Sequence, residues 1–159
     1  VPRRYQGSFM SGTYRPFLTP NAPTSVTATA GNASVSVAFT APSNVGGGAI
    51  TSYTVISSAG HVATGTSSPI TVIGLTNGTS YTFTATATNS EGTSSSSVAS
   101  DPVTPVAPPD TPGAPAVVAG DGQATVTVVA PGSGGAPTSY TVTASPGGGT
   151  CTVTVPATS

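Results

Sequence analysis

The stretch "GNASVSVAFTAPSNVGGGAITSYTVISS" at 31–58 returns, lightly altered, as "GQATVTVVAPGSGGAPTSYTVTAS" at 122–145. Both copies run through Gly-polar-Ala, an alternating valine segment, Ala-Pro, a glycine-rich loop and Thr-Ser-Tyr-Thr-Val. Whatever this chain folds into is therefore made twice, and Tyr53 and Tyr140 mark equivalent points 87 residues apart. That spacing suits one small sandwich per copy. Between the copies lies "DPVTPVAPPDTPGAP" at 101–115. Its prolines fix φ, remove backbone donors and favour extended chain.

Within the first copy the apolar residues recur with a period of two, which is the signature of half-buried strands. "SVTATA" at 25–30 and "ASVSVAFT" at 33–40 are the first two strands, the second turning Val35, Val37 and Phe39 to one face. "ITSYTVIS" at 50–57 points Tyr53 and Val55 inward, and a short partner follows near "HVATG". "PITVIGL" at 69–75 supplies Ile70, Val72 and Leu75, and "SYTFTATATN" supplies Tyr81, Phe83, Ala85 and Ala87. A last strand is expected within "SSSVASDPVTP". Seven short strands with frequent turn signals describe a two-sheet sandwich. Threonine fills the outward positions because it keeps β propensity without adding charge.

Charge is scarce and unevenly placed. Only 4% of residues are charged, and the three basic ones, Arg3, Arg4 and Arg15, all lie in the leader "VPRRYQGSFMSGTYRPFLTP". The remainder carries Glu91, Asp101, Asp110 and Asp121 and no base. Nucleic acid is excluded as a partner of this body, since neutralising phosphates requires Lys or Arg. No apolar run reaches the roughly 18 residues of a membrane-spanning helix. Disorder is the other reading of so much Ser, Thr, Gly and Pro, but valines alternating with threonines can bury a face and a disordered tract cannot.

These residues resemble a fibronectin type III domain. "APTSVTATAGNASVSVAFTAPSNVGGGAITSYTV" is similar to the first half of such domains, and "ITVIGLTNGTSYTFTATATNSEGTS" to the second, with Leu75 six residues before Tyr81. The resemblance covers 21–106 fully and 112–159 in part. It implies a tyrosine corner, in which the Tyr81 hydroxyl bonds back to nearby backbone. The family's usual tryptophan is replaced by Phe39, and by a small residue near Val129 in the second copy. This Trp-less, Gly/Ser/Thr-rich variety is similar to repeats of phage virion proteins and of bacterial surface or secreted proteins. It implies binding or spacing and no chemistry.

The expected fold class is all-β: tandem immunoglobulin-like sandwiches of the fibronectin type III kind, the second incomplete, behind an extended N-terminal arm. The expected division is an arm at 1–20, a sandwich at 21–106, a proline-rich linker at 107–112 and a partial second sandwich at 113–159. The second copy reaches "CTVTVPATS" without the strands that close a core, so either the native chain is longer or a neighbour supplies them. The resemblance further implies a cysteine at the start of the next strand, making Cys151 half of a disulfide to a partner outside this sequence. A buried free thiol is the alternative.

Catalysis lacks a constellation. His61 is the single histidine, and it is expected as an exposed loop residue in "SSAGHVATG". One His, one Cys and four scattered acids assemble neither a nucleophile–base pair nor a metal site. No enzyme activity and no cofactor are expected. Asp101, Asp110 and Asp121 read as solvated linker charges rather than a calcium site. Asn32 and Asn77 carry Asn-x-Ser/Thr patterns, and Asn77-Gly78 reads more simply as a turn. The leader is the one stretch the repeat grammar leaves over. Arg3, Arg4, Tyr5, Phe9, Tyr14, Arg15 and Phe17 combine the residue types of binding hot spots. They mark an assembly arm that docks on another copy or another structural subunit, with surface glycans or a host receptor as further partners. The expected function is a non-enzymatic structural protein of a phage virion or fibre. The alternatives are a bacterial extracellular filament or adhesion protein, or the spacer of a secreted carbohydrate-active enzyme. The expected location is the virion, the extracellular space or the cell surface.

Overall fold

The computed structural model describes residues 18–154. In the first repeat β1 (Thr24–Gly31), β2 (Ser34–Thr40) and β5 (Ile70–Ile73) make one antiparallel sheet in the order β1-β2-β5. The second sheet has the order β4-β3-β6-β7, from β3 (Ser52–Ser57), β4 (Val62–Gly65), β6 (Phe83–Asn89) and β7 (Gly92–Thr93). The period-two reading places the core correctly. Val35, Val37 and Phe39 on β2 and Ile70 and Val72 on β5 meet Tyr53 and Val55 on β3 and Phe83, Ala85 and Ala87 on β6. Leu75 and Tyr81 close the same cluster. Phe83 is fully buried, and removing such a side chain from water stabilises the fold by about 1.5–3 kcal/mol. The Phe39 and Tyr53 rings stack at a tilt with centroids 4.9 Å apart, so phenylalanine fills the tryptophan slot against a tyrosine.

Tyr81 forms its expected corner: the Thr76 N–H donates to its hydroxyl at 3.1 Å. Its backbone sits just before β6 and bridges Val103 in both directions.

The last strand departs from expectation. Residues 94–103 run beside β6 but advance three residues for every two of their partner. The N–H groups of Ser94, Ser97 and Ser100 donate to the carbonyls of Ala87, Ala85 and Phe83 at 2.8–2.9 Å. The return bonds do not reach backbone carbonyls. Instead the Ala87, Ala85 and Phe83 N–H groups donate to the hydroxyls of Ser94, Ser97 and Ser100 at 3.0, 2.9 and 3.1 Å. Each hydroxyl then donates to the carbonyl of the residue after its own serine. A serine at every third position therefore replaces a regular strand, and the buried donors of β6 all find acceptors.

A strap precedes each repeat. The Leu18 N–H donates to the Gly46 carbonyl and the Asn21 N–H to the Asn44 carbonyl, at 2.8 and 3.0 Å. In the second repeat Gly135 donates to Ala107 at 2.7 Å and Asp110 to Ser133 at 3.2 Å. Residues 18–20 thus hold to the first domain although the sequence groups them with the arm. Residues 107–112 likewise hold to the second repeat's glycine-rich loop, where the sequence suggests a linker. Glycine is needed where the strap crosses: a Cβ on Gly46 would stand 1.8 Å from the Leu18 oxygen, and one on Gly134 2.1 Å from that of Pro108. Asn89, buried at the end of β6, completes the first strap. Its amide donates to the Leu18 and Val45 carbonyls, while its oxygen accepts from Glu91 and Gly92.

The second repeat provides two hairpins, β8 (Gly113–Gly120) with β9 (Gln123–Val129) and β10 (Ser139–Thr143) with β11 (Thr150–Thr154). They copy β1–β2 and β3–β4 in pairing. Gly31↔Ser34 becomes Gly120↔Gln123 and Thr24↔Thr40 becomes Gly113↔Val129, every residue displaced by 89, with the register shift at the same place. This register puts Val128, not Val129, at the position of Phe39.

Candidate functional site

The arm residues Arg3, Arg4, Tyr5, Phe9, Tyr14, Arg15 and Phe17 lie outside the described residues. Cys151 lies within β11, opposite Val142, with its thiol free and exposed. The register gives it the place of Ala63, which stands opposite Val55 and packs against the first core. A buried thiol is thus not what the second repeat shows.

His61 is not a free loop residue. It is half-buried in the turn between β3 and β4, its ring edge-on to that of Tyr81 with centroids 5.8 Å apart. Its Nδ1 lies 3.2 Å from the Ser57 hydroxyl, which also accepts the His61 N–H at 3.0 Å. A serine beside a histidine invites a nucleophile–base reading. Ser57 is buried, however, and its hydroxyl is engaged by backbone, so the pair ties a tight turn. Among the described residues no three His, Cys, Asp or Glu side chains gather. The Asp110 carboxylate accepts the Ser133 hydroxyl and so belongs to the strap.

Asn77 also has a structural task. Its oxygen accepts the Ala33 N–H at 2.8 Å and its amide donates to the Asn32 oxygen at 2.9 Å, clamping the turn between β1 and β2. Both side chains with the glycosylation pattern are consumed by this clamp. Sequence reasoning missed Asn89 and the serine triplet. The signals were an asparagine ahead of a Ser-Glu-Gly turn, and serines three apart where a strand pattern should have period two.

The second repeat has a cleft of about 380 Å3 whose walls include Pro112, Val128, Tyr140 and Val142. The positions of Val128, Tyr140 and Val142 correspond to Phe39, Tyr53 and Val55, which β5 and β6 cover in the first repeat. The cleft is an uncovered half-core. Among the described residues no helix is long and apolar enough to cross a membrane.

The family model of the fibronectin type III domain matches residues 21–103. Among solved structures, the titin kinase with its flanking domains is similar at 31% identity and TM-score 0.50, covering 55% of this chain and 17% of that one. A second titin structure, of several of its domains, is similar at 30% identity and TM-score 0.51, covering 54% and 32%. The twitchin kinase region from C. elegans, at 24% identity and TM-score 0.51, covers 55% and 17% and shows the fold alone. The chain spans a third or less of the length of these structures. No curated protein matches it.

Proposed function

The chain belongs to the fibronectin type III domain family, and from that premise we propose that it acts without catalysis, spacing and docking other subunits in a phage virion or fibre. The family is one of modular structural and binding domains, and the junction between the repeats supports the spacing role. The Val106 N–H is held by the Gly31 carbonyl of the first repeat, at 3.2 Å. The carbonyl of the next residue, Ala107, is held by Gly135 of the second. No residue is left free between the two anchors, and Pro105, Pro108 and Pro109 stiffen either side. A joint without slack suits a spacer.

Docking falls to the leader. Phe39, Tyr53, Tyr81 and Phe83 all face the first core. Of the other five aromatic residues, four, Tyr5, Phe9, Tyr14 and Phe17, share the leader with Arg3, Arg4 and Arg15. Such groups are the usual anchors of an interface. The virion setting rests on the Trp-less, Gly/Ser/Thr-rich variety of repeat. Deleting residues 1–16 tests the docking role, because the strap from Leu18 onward stays intact. Sedimentation should show loss of self-association or of binding to the neighbouring structural subunit, with the first domain's melting unchanged. Unaltered association after the deletion defeats the reading.

A further inference from the structure

Asn77-Gly78 is the single asparagine–glycine pair in the chain. An asparagine before glycine carries its own reagent. The glycine nitrogen can close on the side-chain carbon Cγ, because no Cβ on the glycine obstructs the approach. The nitrogen gives up its proton as the new bond forms, and the Nδ2 group takes that proton and leaves as ammonia. Water then opens the resulting succinimide to aspartate or to isoaspartate. Isoaspartate routes the main chain through the former side chain, so the backbone gains a carbon and the side chain loses one.

In the folded chain both reacting groups are occupied. The Gly78 N–H donates to the Pro105 carbonyl at 2.9 Å. The Asn77 carboxamide is held at both ends, its oxygen by the Ala33 N–H at 2.8 Å and its amide on the Asn32 oxygen at 2.9 Å. Gly78 is nevertheless exposed and Asn77 only half-buried, so water reaches the turn. Hydrogen bonds, not burial, restrain the pair.

Those bonds belong to the joint between the repeats. Pro105 is fully buried, and Val106 beside it donates to the Gly31 carbonyl at 3.2 Å. Gly31 begins the turn that Asn32 and Ala33 complete, and the Ala33 carbonyl accepts the Leu75 N–H at 3.0 Å. Residues 31–33, 75–78 and 105–106 thus form one hydrogen-bonded knot where the chain leaves the first repeat. Local opening of such a unit frees its groups together.

We infer that Asn77-Gly78 is a self-modification site governed by the joint. While Pro105 and Val106 are seated the pair is inert, and each opening exposes it to succinimide formation. The isoaspartate product cannot rebuild the clamp, because its shortened side chain no longer reaches Ala33. A joint that has opened often enough therefore stays loose, and the change is irreversible. Neither step depends on the docking role of the leader.

The test uses the full chain at mildly alkaline pH, which favours loss of the amide proton. Peptide mass spectrometry follows residue 77, and hydrogen exchange follows the Gly78 amide in the same sample. Folding should slow deamidation, relative to the chain in urea, by the factor by which it protects the Gly78 amide, to within about tenfold, since one opening frees the nitrogen for both. Val106→Pro removes the donor held by Gly31 at a residue that lies outside the core. It should raise the folded-state rate at Asn77 by about 2- to 12-fold, the change in an opening equilibrium that one lost hydrogen bond brings. Val106→Ala keeps the donor and should age as the parent does. In chains that have formed isoaspartate, the Ala33 amide should exchange faster than before. Deamidation as fast in the folded chain as in urea overturns the proposal, as does a retardation outside the tenfold window, a comparison that needs no variant. Equal ageing of Val106→Pro and Val106→Ala overturns the link to the joint, and an Ala33 amide still protected after modification overturns the loss of the clamp.

Discussion

The two repeats share their hairpins down to the register shift, yet one is a core and the other a pair of ribbons. Val37 is fully buried on β2, while Val126, at the matching place on β9, stays half-exposed, and Val117 and Val118 on β8 face solvent. Nothing in the local sequence separates these valines. What separates them is that β5, β6 and the serine segment lie over the first pair of hairpins, and none of the described residues lies over the second. Hairpin pairing follows from local alternation and turn chemistry. Burial requires the other half of the sandwich, and an isolated two-stranded ribbon is marginal in water.

The widest test of this contrast is to separate the repeats. Residues 18–106 alone should unfold in one sharp transition, whereas residues 107–159 alone should show no cooperative melt, because a core that small and open cannot offset the conformational entropy of ordering it. A sharp calorimetric transition from the second fragment would mean that its hairpins need no covering half. A smaller effect addresses how that half is held. Ser97→Ala removes the acceptor for the buried Ala85 N–H and should destabilise the first repeat by about 1–3 kcal/mol, the usual cost of orphaning a buried donor. Urea melts would show it, and the amide signals of β8 to β11 should not move. An unchanged midpoint would show that the serine hydroxyl is dispensable.

The smallest effect turns the comparison inside out, since at one turn the second repeat is the better built. Ala33 sits at φ +47 in the turn between β1 and β2, and Gly122 holds the equivalent place at φ +64. A left-handed conformation costs a residue with a Cβ about 1 kcal/mol relative to glycine. Ala33→Gly should therefore stabilise the first repeat by about 0.5–1 kcal/mol, a small upward shift of its urea midpoint. A loss of stability would mean that the Asn77 clamp depends on the alanine conformation.

How far the sequence could be read follows the same division. Alternation named the whole core, from Val35 to Ala87, because side-chain direction in a strand is a local property. The Leu75-to-Tyr81 step announced the corner because its bond spans only a few residues. The segment after β6 was misread as a regular strand, since its pairing depends on hydroxyls that a period-two search does not score. The straps were misread for a related reason: proline-rich chain looks like linker until its carbonyls are seen against the glycine loops. In the sequence His61 reads as an exposed loop residue and Asn77 as part of a turn, and the bonds that tie each side chain into place are visible only in the folded chain.

The three-against-two run of the serine segment has a further consequence, at the outer border of the sheet. A free border with regular spacing acts as a template on which a stranger's strand can crystallise, and soluble proteins commonly deter this with lysine. This chain has no lysine at all. Its border is instead ruled like a vernier scale, with divisions that coincide with those of an ordinary strand only at every third mark. An incoming strand that found one bond would miss the next two. What guards this border against strand addition is a mismatch of measure, which neither salt nor pH can screen away.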